Sequence, residues 1–244
     1  MGIERFSVRF AETEEEKRAV YRLRYQDLLL DYRPELVNES KEDITEYDAY
    51  AKLVMCIDNE SGEVVGSYRL ITSDDLPKDK PFVAESEFSF DGLKKGGEGI
   101  VELSRAVVKK EYRNSVVLLL LLRFIAGYIR SQNYRYLIGT ASFHGVDKRA
   151  FQQELSYLSW VASADDSLGI TAKEENPVPI LPLEGLNVAE IKRKIPPLIR
   201  AYVGFGAKVS KTLYTDRDFG SVDIFILLDV QNYNEEYLLR LLRM

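Results

Sequence analysis

The chain has 244 residues, 45% of them hydrophobic, and a net charge of −6, which allows a full buried core and argues against a general nucleic-acid binder. Cys56, the single cysteine, excludes an internal disulfide and reads as a core thiol in a reducing compartment. His144, the single histidine, excludes multi-histidine zinc sites, and no Ser-His-Asp order or CxxC spacing points to a triad or a metal.

Glu4, Arg5 and Arg9 occupy the place where a secretory leader would be apolar, so residues 1–10 are not expected to be a signal peptide. Residues 14–32 then predict a helix capped by Thr13, with Ala19, Val20, Leu23 and Leu28 on its apolar side. Residues 51–57 and 64–72 predict two strands joined by a turn-rich loop at 58–62, a β-hairpin. A polar stretch at 73–80 leads through 81–90 to a Gly-rich turn at 92–99. Next come a strand at 100–108, a helix at 115–131, a strand at 134–141 and a helix at 146–158, a β-α-β-α run that implies parallel neighbours with a crossover. The most apolar window, 116–129, contains Arg123 and falls short of the roughly 20 residues that span a bilayer, so it reads as a buried helix.

Five of the eight prolines lie between Pro177 and Pro197, and 161–195 is expected to be an irregular surface insertion in a single domain spanning 1–244. A helix at 195–203 and strands at 208–214 and 222–229 complete an α/β pattern. The amphipathic tail at 234–242 is expected to pack on the core, with peripheral membrane contact as the alternative.

The chemistry concentrates at 101–122. A strand carrying Glu102, Ser104 and Arg105 runs into a turn with Lys109, Lys110 and Arg113 and then an aliphatic helix. Helix N-termini bind anions, so this order suits the phosphate end of a thioester carrier and points to acyl transfer. Between Arg105 and Ala150 nine basic residues stand against two acidic ones, a local positive region that would face an acidic carrier protein favourably. A solvated face is the alternative reading of the same cluster.

An amine attacking a thioester must lose a proton, and the carbonyl oxygen needs N–H donors as charge develops on it. Glu102 is the candidate base or water-orienting group, and Ser104 the candidate for reprotonating the thiolate or holding pantetheine. Alternation puts Glu102 and Ser104 on one strand face and Arg105 on the other, so a shared site requires a bulge beside them. The competing reading is an ion-pair network of Glu102 with Arg24 or Arg69 that only stabilises the fold. Ser142, Phe143 and Gly145 end the next strand, where Phe143 is a candidate for lining the acyl channel. Asp216, Asp218 and Asp223 form an acidic group that would suit a cationic amino acid, or that simply caps a turn.

Tyr21-Arg22-Leu23-Arg24-Tyr25, Tyr47-Asp48, Val65-Gly66-Ser67-Tyr68-Arg69-Leu70, Glu102-Leu103-Ser104-Arg105, Gly139-Thr140-Ala141-Ser142-Phe143, Pro196-Pro197-Leu198, Gly206-Ala207 and Asp216-Arg217-Asp218-Phe219 occur in this order. With them the chain resembles the GNAT acyltransferase superfamily, and more closely the ornithine-lipid N-acyltransferases, often labelled hemolysin-like. The resemblance implies a mixed central sheet flanked by helices with a splayed parallel strand pair. It also implies oxyanion donors near Ala106 and Val107, a pantetheine path along Val108, Arg113, Asn114 and Ser115, and no permanently bound cofactor or metal.

Arg24, Asp48, Arg69, Glu102 and Arg105 look like charged positions shared with acyl-homoserine-lactone synthases, which take acyl groups from acyl carrier protein. Two departures matter. Thr45 stands where those synthases carry a further acid, three residues before Asp48. The pyrophosphate-binding glycines of typical GNAT enzymes are replaced in Arg113-Asn114-Ser115-Val116-Val117-Leu118, where a Cβ obstructs close backbone approach. That favours one phosphopantetheine phosphate, hence acyl carrier protein over coenzyme A as co-substrate.

The implied reaction transfers a long fatty or 3-hydroxyacyl chain to the α-amine of an amino acid, ornithine first, in the cytoplasm or peripherally on the inner membrane face. An acyl-homoserine-lactone or other N-acyl amino acid synthase is the alternative within enzymes. A non-catalytic lipid-binding or membrane-active protein is the alternative of another class.

Overall fold

The computed structural model describes residues 3–113, 115–234 and 236–237. Asn114 therefore lies outside the described residues, as does the expected tail at 234–242 apart from 234, 236 and 237.

An alternating Phe6, Val8, Phe10 pattern forms an edge strand, β1 (Phe6–Phe10), where no element had been expected. The expected first helix begins as α1 (Glu14–Arg24). Its N-terminus is closed by a capping box, with Thr13 Oγ1 accepting from the Glu16 amide at 3.2 Å and Glu16 Oε2 accepting from the Thr13 amide at 3.1 Å. It continues through a π-helical turn, Tyr25–Leu29, into α2 (Leu30–Tyr32). The hairpin is β2 (Lys52–Asp58) and β3 (Val64–Thr72), paired antiparallel.

The stretch at 81–99 is more structured than its composition implied. It holds a 3-10 turn (Val83–Ser86), the short strand β4 (Phe88–Ser89) and α3 (Asp91–Lys95). β5 (Ile100–Val108), α4 (Val117–Ser131), β6 (Tyr136–His144) and α5 (Gln152–Ala162) follow. The last helix starts six residues later than expected, because Asp147 Oδ1 accepts from the Arg149 amide and opens a 3-10 turn at Lys148–Phe151 first.

The proline-rich stretch contains β7 (Thr171–Ala172), which pairs with β4, and α6 (Val188–Lys194). It is tied down by side chains from elsewhere. Ser156 Oγ accepts from the Leu181 amide at 2.9 Å, and Trp160 Nε1 donates to the Leu181 carbonyl at 2.9 Å. The chain closes with α7 (Pro197–Gly204), β8 (Lys208–Asp216) and β9 (Ser221–Asp229).

The main sheet runs β1-β2-β3-β5-β6-β9-β8, antiparallel except for the central β5/β6 pair. One face is covered by α4, α5 and α7, whose Leu121, Ile125, Leu155 and Ile199 bury Val101, Leu103 and Ile224. The other face carries α1 over Leu53 and Met55, and the 82–93 segment, with Phe82, Phe88 and Phe90, over Ile71, Ile138 and Phe225.

Two irregularities at the centre of the sheet shape the site. β5 pairs with β6 only from Ile100 opposite Tyr136 to Glu102 opposite Ile138, and beyond that point the strands diverge. Gly139 sits at this vertex, where an added Cβ would lie 2.4 Å from the Leu103 carbonyl oxygen. On its other edge β5 slips register against β3, since Ser67 faces Val107 but Arg69 faces Ser104. That is a β-bulge at Arg105 and Ala106, with Arg105 in the left-handed region at φ 52°.

Candidate active site

Alternation sends Ile100, Glu102 and Ser104 to the α1 face of the sheet, and the bulge brings Arg105 to the same side. Its Nε lies 3.1 Å from Asp43 Oδ2, and its guanidinium sits 5.6 Å from the Phe219 ring centroid. A side chain that strict alternation would bury under α4 thereby joins Glu102 and Ser104. A non-glycine residue in this conformation costs on the order of 1 kcal/mol or more, and such strain collects at functional positions.

Around this strand is a buried lattice of arginines and carboxylates. Arg24, fully buried on α1, donates from Nε to Asp43 at 3.0 Å and from its two terminal nitrogens to Asp48 at 2.7 and 3.2 Å. Arg69, 2% exposed on β3, donates to Ser104 Oγ at 2.9 Å and to Thr45 Oγ1 at 2.7 Å, with Asp48 3.7 Å away. Burial and the adjacent Arg105 charge pull Arg69 down to about 10. Thr45, at the position of the missing acid, serves as the hydroxyl partner of Arg69, and its amide donates to Asp48 at 2.7 Å. Asp43, which sequence reasoning passed over, is the carboxylate that Arg24 and Arg105 share.

Glu102 does not belong to that lattice by direct contact. Its Oε2 accepts from the Val83 amide at 2.8 Å and its Oε1 from the Ala84 amide at 2.7 Å. These bonds fasten the 81–90 segment to β5. The carboxyl is 1% exposed, and burial, opposed by the two amides and the Arg69 charge, raises it to about 7. A carboxyl at that value is divided between acid and base near neutrality.

Beyond the vertex, the diverging strands leave Ser104, Arg105 and Ala106 on β5 and Thr140 and Ser142 on β6 half-exposed inside an otherwise buried sheet. Ser142 faces Asp223 across the β6/β9 ladder and lies within hydrogen-bonding reach of Tyr32 and Asp223. Tyr32, at the end of α2, stacks on His144 at 4.0 Å and packs against Phe219 at 4.6 Å. Val107 is buried opposite Ser67 and Val108 is half-buried opposite Gly66. Phe143 points to the other face, buried and stacked on Phe151 at 4.8 Å. On that face an apolar cavity of about 40 Å³ lies between Leu103, Leu122, Leu137, Tyr202, Phe205 and Ile226.

Of the expected acidic group, Asp216 and Asp223 come together, joined by Glu87 rather than Asp218. Carboxylate oxygens of Glu87, Asp216 and Asp223 lie within 4.8 Å of one another. Asp218 is exposed in the β8–β9 turn. Glu87 gave no signal in the sequence, because it sits between polar and aromatic residues with no periodic pattern.

Lys110 and Arg113 of the basic turn are anchored on the α1–α2 side of the fold. Arg113 donates to the Asp27 and Val108 carbonyls at 2.7 and 3.2 Å and pairs with Asp31 at 2.8 Å, and Lys110 pairs with Asp31 at 2.9 Å. Ser115 Oγ donates to the Tyr112 carbonyl and accepts from the Val117 amide, closing the turn before α4. Further along, Lys109, Arg135 and Lys148 pair with Glu63, Glu98 and Glu174. The local positive excess is thus largely met by carboxylates distant in sequence.

Residues 23–123 match the acetyltransferase (GNAT) domain family. An L-ornithine N(alpha)-acyltransferase of Rhodobacter capsulatus is 29% identical over 95% of this chain and 93% of its own length. The protein of the same name from Agrobacterium fabrum is 27% identical over 94% of this chain and 83% of its own. Among solved structures, the fold is similar to FeeM, an N-acyl amino acid synthase from uncultured soil microbes, with TM-score 0.54, 12% identity and coverage of 93% and 92% of the two chains. It is also similar to the CoA-dependent acyl-homoserine lactone synthase MesI, with TM-score 0.55, 17% identity and coverage of 98% and 96%. Among the described residues, no helix is long and apolar enough to cross a membrane.

Proposed function

We propose that this chain, whose residues 23–123 match the acetyltransferase (GNAT) domain family, is an N-acyltransferase that moves a long fatty or 3-hydroxyacyl chain from a phosphopantetheine thioester to the α-amine of an amino acid. Ornithine is the first acceptor to test, and the product is a lyso-aminolipid. The single observation that carries this reading is the diverging β5/β6 pair, with Glu102 at its vertex and Arg105 turned into it by the bulge. The names of the relatives matched along 94–95% of the chain point to the same acceptor.

In this reading the pantetheine arm lies between the strands, with the acyl chain directed toward the apolar cavity beside Leu103 and Leu137. Backbone N–H groups near Ala106 and Val107 meet the carbonyl oxygen as it becomes an oxyanion. The amine nitrogen bonds to the carbonyl carbon and its proton passes to Glu102, through a water because the carboxyl is buried. The C–S bond then breaks and the thiolate is reprotonated, with Ser104, oriented by Arg69, at hand for that step. Arg24, Asp43, Asp48, Arg69 and Arg105 are positioning residues that hold the β5 bulge against α1.

Acyl carrier protein is the donor this reading favours, because Val116, Val117 and Leu118 lead into α4 where glycines would admit a pyrophosphate. Arg113 and Lys110, anchored on Asp31, are the cations available to a carrier-protein phosphate. The test is a purified protein supplied with acyl carrier protein or coenzyme A thioesters and single amino acids, with products read by mass spectrometry. An Nα-acyl amino acid formed from the carrier-protein thioester is the expected result. Better use of the coenzyme A thioester would reverse the donor assignment. A lactone product would favour the homoserine-lactone reading, and no turnover with any donor would favour a lipid-binding protein.

A further inference from the structure

The charged groups on the α1 face divide into two sets, and only one contains charges of both signs. Arg24, Arg69 and Arg105 are matched by Asp43, Asp48 and the hydroxyls of Thr45 and Ser104. Glu87, Asp216 and Asp223, across the gap, converge with no lysine or arginine in ion-pair contact among the described residues. Glu87 is 9% exposed, its carboxyl is hydrogen-bonded to Asp223, and its Oε2 is buried with no partner outside the group. A carboxyl buried against two other acids keeps its proton until a cation replaces it. Asp216 is half-exposed, so the group opens to solvent on one side.

The position of this cluster indicates what would complete it. Asp223 stands opposite Ser142 on β6, the strand that forms one wall of the gap. The Glu102 charge reaches Glu87, and Tyr32 closes the group from α2. We propose that Glu87, Asp216 and Asp223 bind the side-chain ammonium of a basic amino-acid acceptor, and that by keeping this nitrogen protonated they direct acylation to the α-amine. The inference rests on the N-acyltransferase reading and adds to it the residues that hold the acceptor's side chain and the reason for its regiochemistry.

The chemistry follows from the charges. An ammonium held among carboxylates has no lone pair to attack a thioester, because the surrounding negative charge favours its protonated form. The α-amine, placed toward Glu102, loses its proton there, forms the amide bond, and the thiol leaves. Without the ligand, burial, followed by the Asp223 and Asp216 charges, raises Glu87 to about 9, and burial also raises Asp223. Glu102 from β5, Tyr214 and Asp216 from β8 and Asp223 from β9 face Glu87, Tyr32 from α2 faces Asp223, and Lys173 directs its side chain to the Glu85 carbonyl. An arriving ammonium therefore displaces a proton from the cluster.

The experiment compares ornithine with norvaline, the same carbon skeleton without the side-chain nitrogen, in the wild-type protein, Glu87→Gln, Asp223→Asn and Asp216→Asn. Product amounts and the acylated nitrogen are read by fragmentation mass spectrometry. Wild type should prefer ornithine and acylate its α-nitrogen. Glu87→Gln and Asp216→Asn should lower kcat/KM for ornithine by at least roughly 30-fold through KM, leave norvaline within about 2-fold, and admit side-chain acylation. Ornithine binding to wild type near neutral pH should release a proton, detected as a binding heat that changes with the buffer's ionisation enthalpy.

Asp216→Asn alters a half-exposed side chain and keeps the test valid if the buried variants fail to fold. An unchanged ornithine-to-norvaline ratio in folded Asp216→Asn and Glu87→Gln overturns the proposal. Activity abolished by a chelator and restored by Mn²⁺ also overturns it, in favour of a divalent-cation site. Absence of any amide product from wild type sinks the enzyme reading itself. That outcome differs from a wild type that acylates ornithine while the variants keep its preference.

Discussion

Two charged clusters on one face of the same sheet have opposite internal economies. The one under α1 is closed, with Arg24 fully buried between Asp43 and Asp48, and Arg69 and Arg105 partnered on either side. The one across the gap is open, three carboxyl groups that share a Glu87–Asp223 hydrogen bond and have no cation in contact among the described residues. Burying like charges without a counterion is unfavourable, so the open cluster has unmet demand while the closed one serves as scaffold. Ion pairing alone does not mark function; the unpaired remainder does.

The sharpest way to break this comparison is Arg24→Ala, which takes from Asp48 its bidentate partner and leaves Asp43 only Arg105. It should destabilise the protein by about 3–5 kcal/mol, measured by chemical denaturation, and a loss below about 1 kcal/mol would show that the closed cluster is not a scaffold. Glu102→Gln comes next, with turnover expected to fall on the order of 10²-fold at unchanged fold if this carboxyl handles the proton; wild-type rates would remove it from the mechanism.

A smaller effect separates the clusters by pH. Glu87 and Glu102 are raised to about 9 and about 7 from an ordinary 4.5, so the folded state holds their protons more tightly than the unfolded state. Their contribution is complete below about 4.5 and declines as pH rises through 7 and 9. Asp48 is lowered by its Arg24 partner despite burial, so its contribution is present above the ordinary carboxylate range and is lost as pH falls below it. Denaturation midpoints should therefore fall more gently toward pH 9 in Glu87→Gln than in wild type, and parallel curves would contradict the raised Glu87. Smallest of all, Arg113→Ala, exposed and paired with Asp31, should cost at most about 1 kcal/mol of stability, while raising the KM for acyl carrier protein more than it lowers kcat. An unaltered KM would leave the basic turn without a role in donor binding.

The elements that could be read in the sequence are those built on local signals. The capping box at Thr13 and Glu16, the hairpin turn at 58–62 and the apolar run of α4 each announce themselves within a few residues. β6 runs past its expected end to His144 because β9 pairs with it along its whole length, a contact no local window contains. The proline-rich stretch reads as irregular, and its anchoring on Ser156 and Trp160 depends on partners more than 20 positions away. The positive excess at 105–150 is visible, but the Asp31, Glu63 and Glu98 that offset it are not.

At the site, Glu102 and Arg105 stand out because charge in an apolar strand is conspicuous, whereas Arg24, Asp48 and Arg69 stand out through the resemblance to acyl-homoserine-lactone synthases. Asp43 and Glu87 lie in segments whose polarity looks ordinary until the fold buries them. The need for a bulge follows from alternation once the family resemblance puts Glu102 and Arg105 in one site. Its place, at Arg105 and Ala106, depends on the β3 register.

The vertex at Gly139 has a consequence for how this site can vary. β5 and β6 diverge like the blades of shears from a pivot where only a hydrogen atom fits against the Leu103 carbonyl. A methyl group there would push the blades apart at their root, and the displacement would grow with distance along each strand. Residues at the mouth can be exchanged to suit one acyl chain or another while the aperture stays the same. A single carbon added at the pivot would change the aperture for every substrate at once.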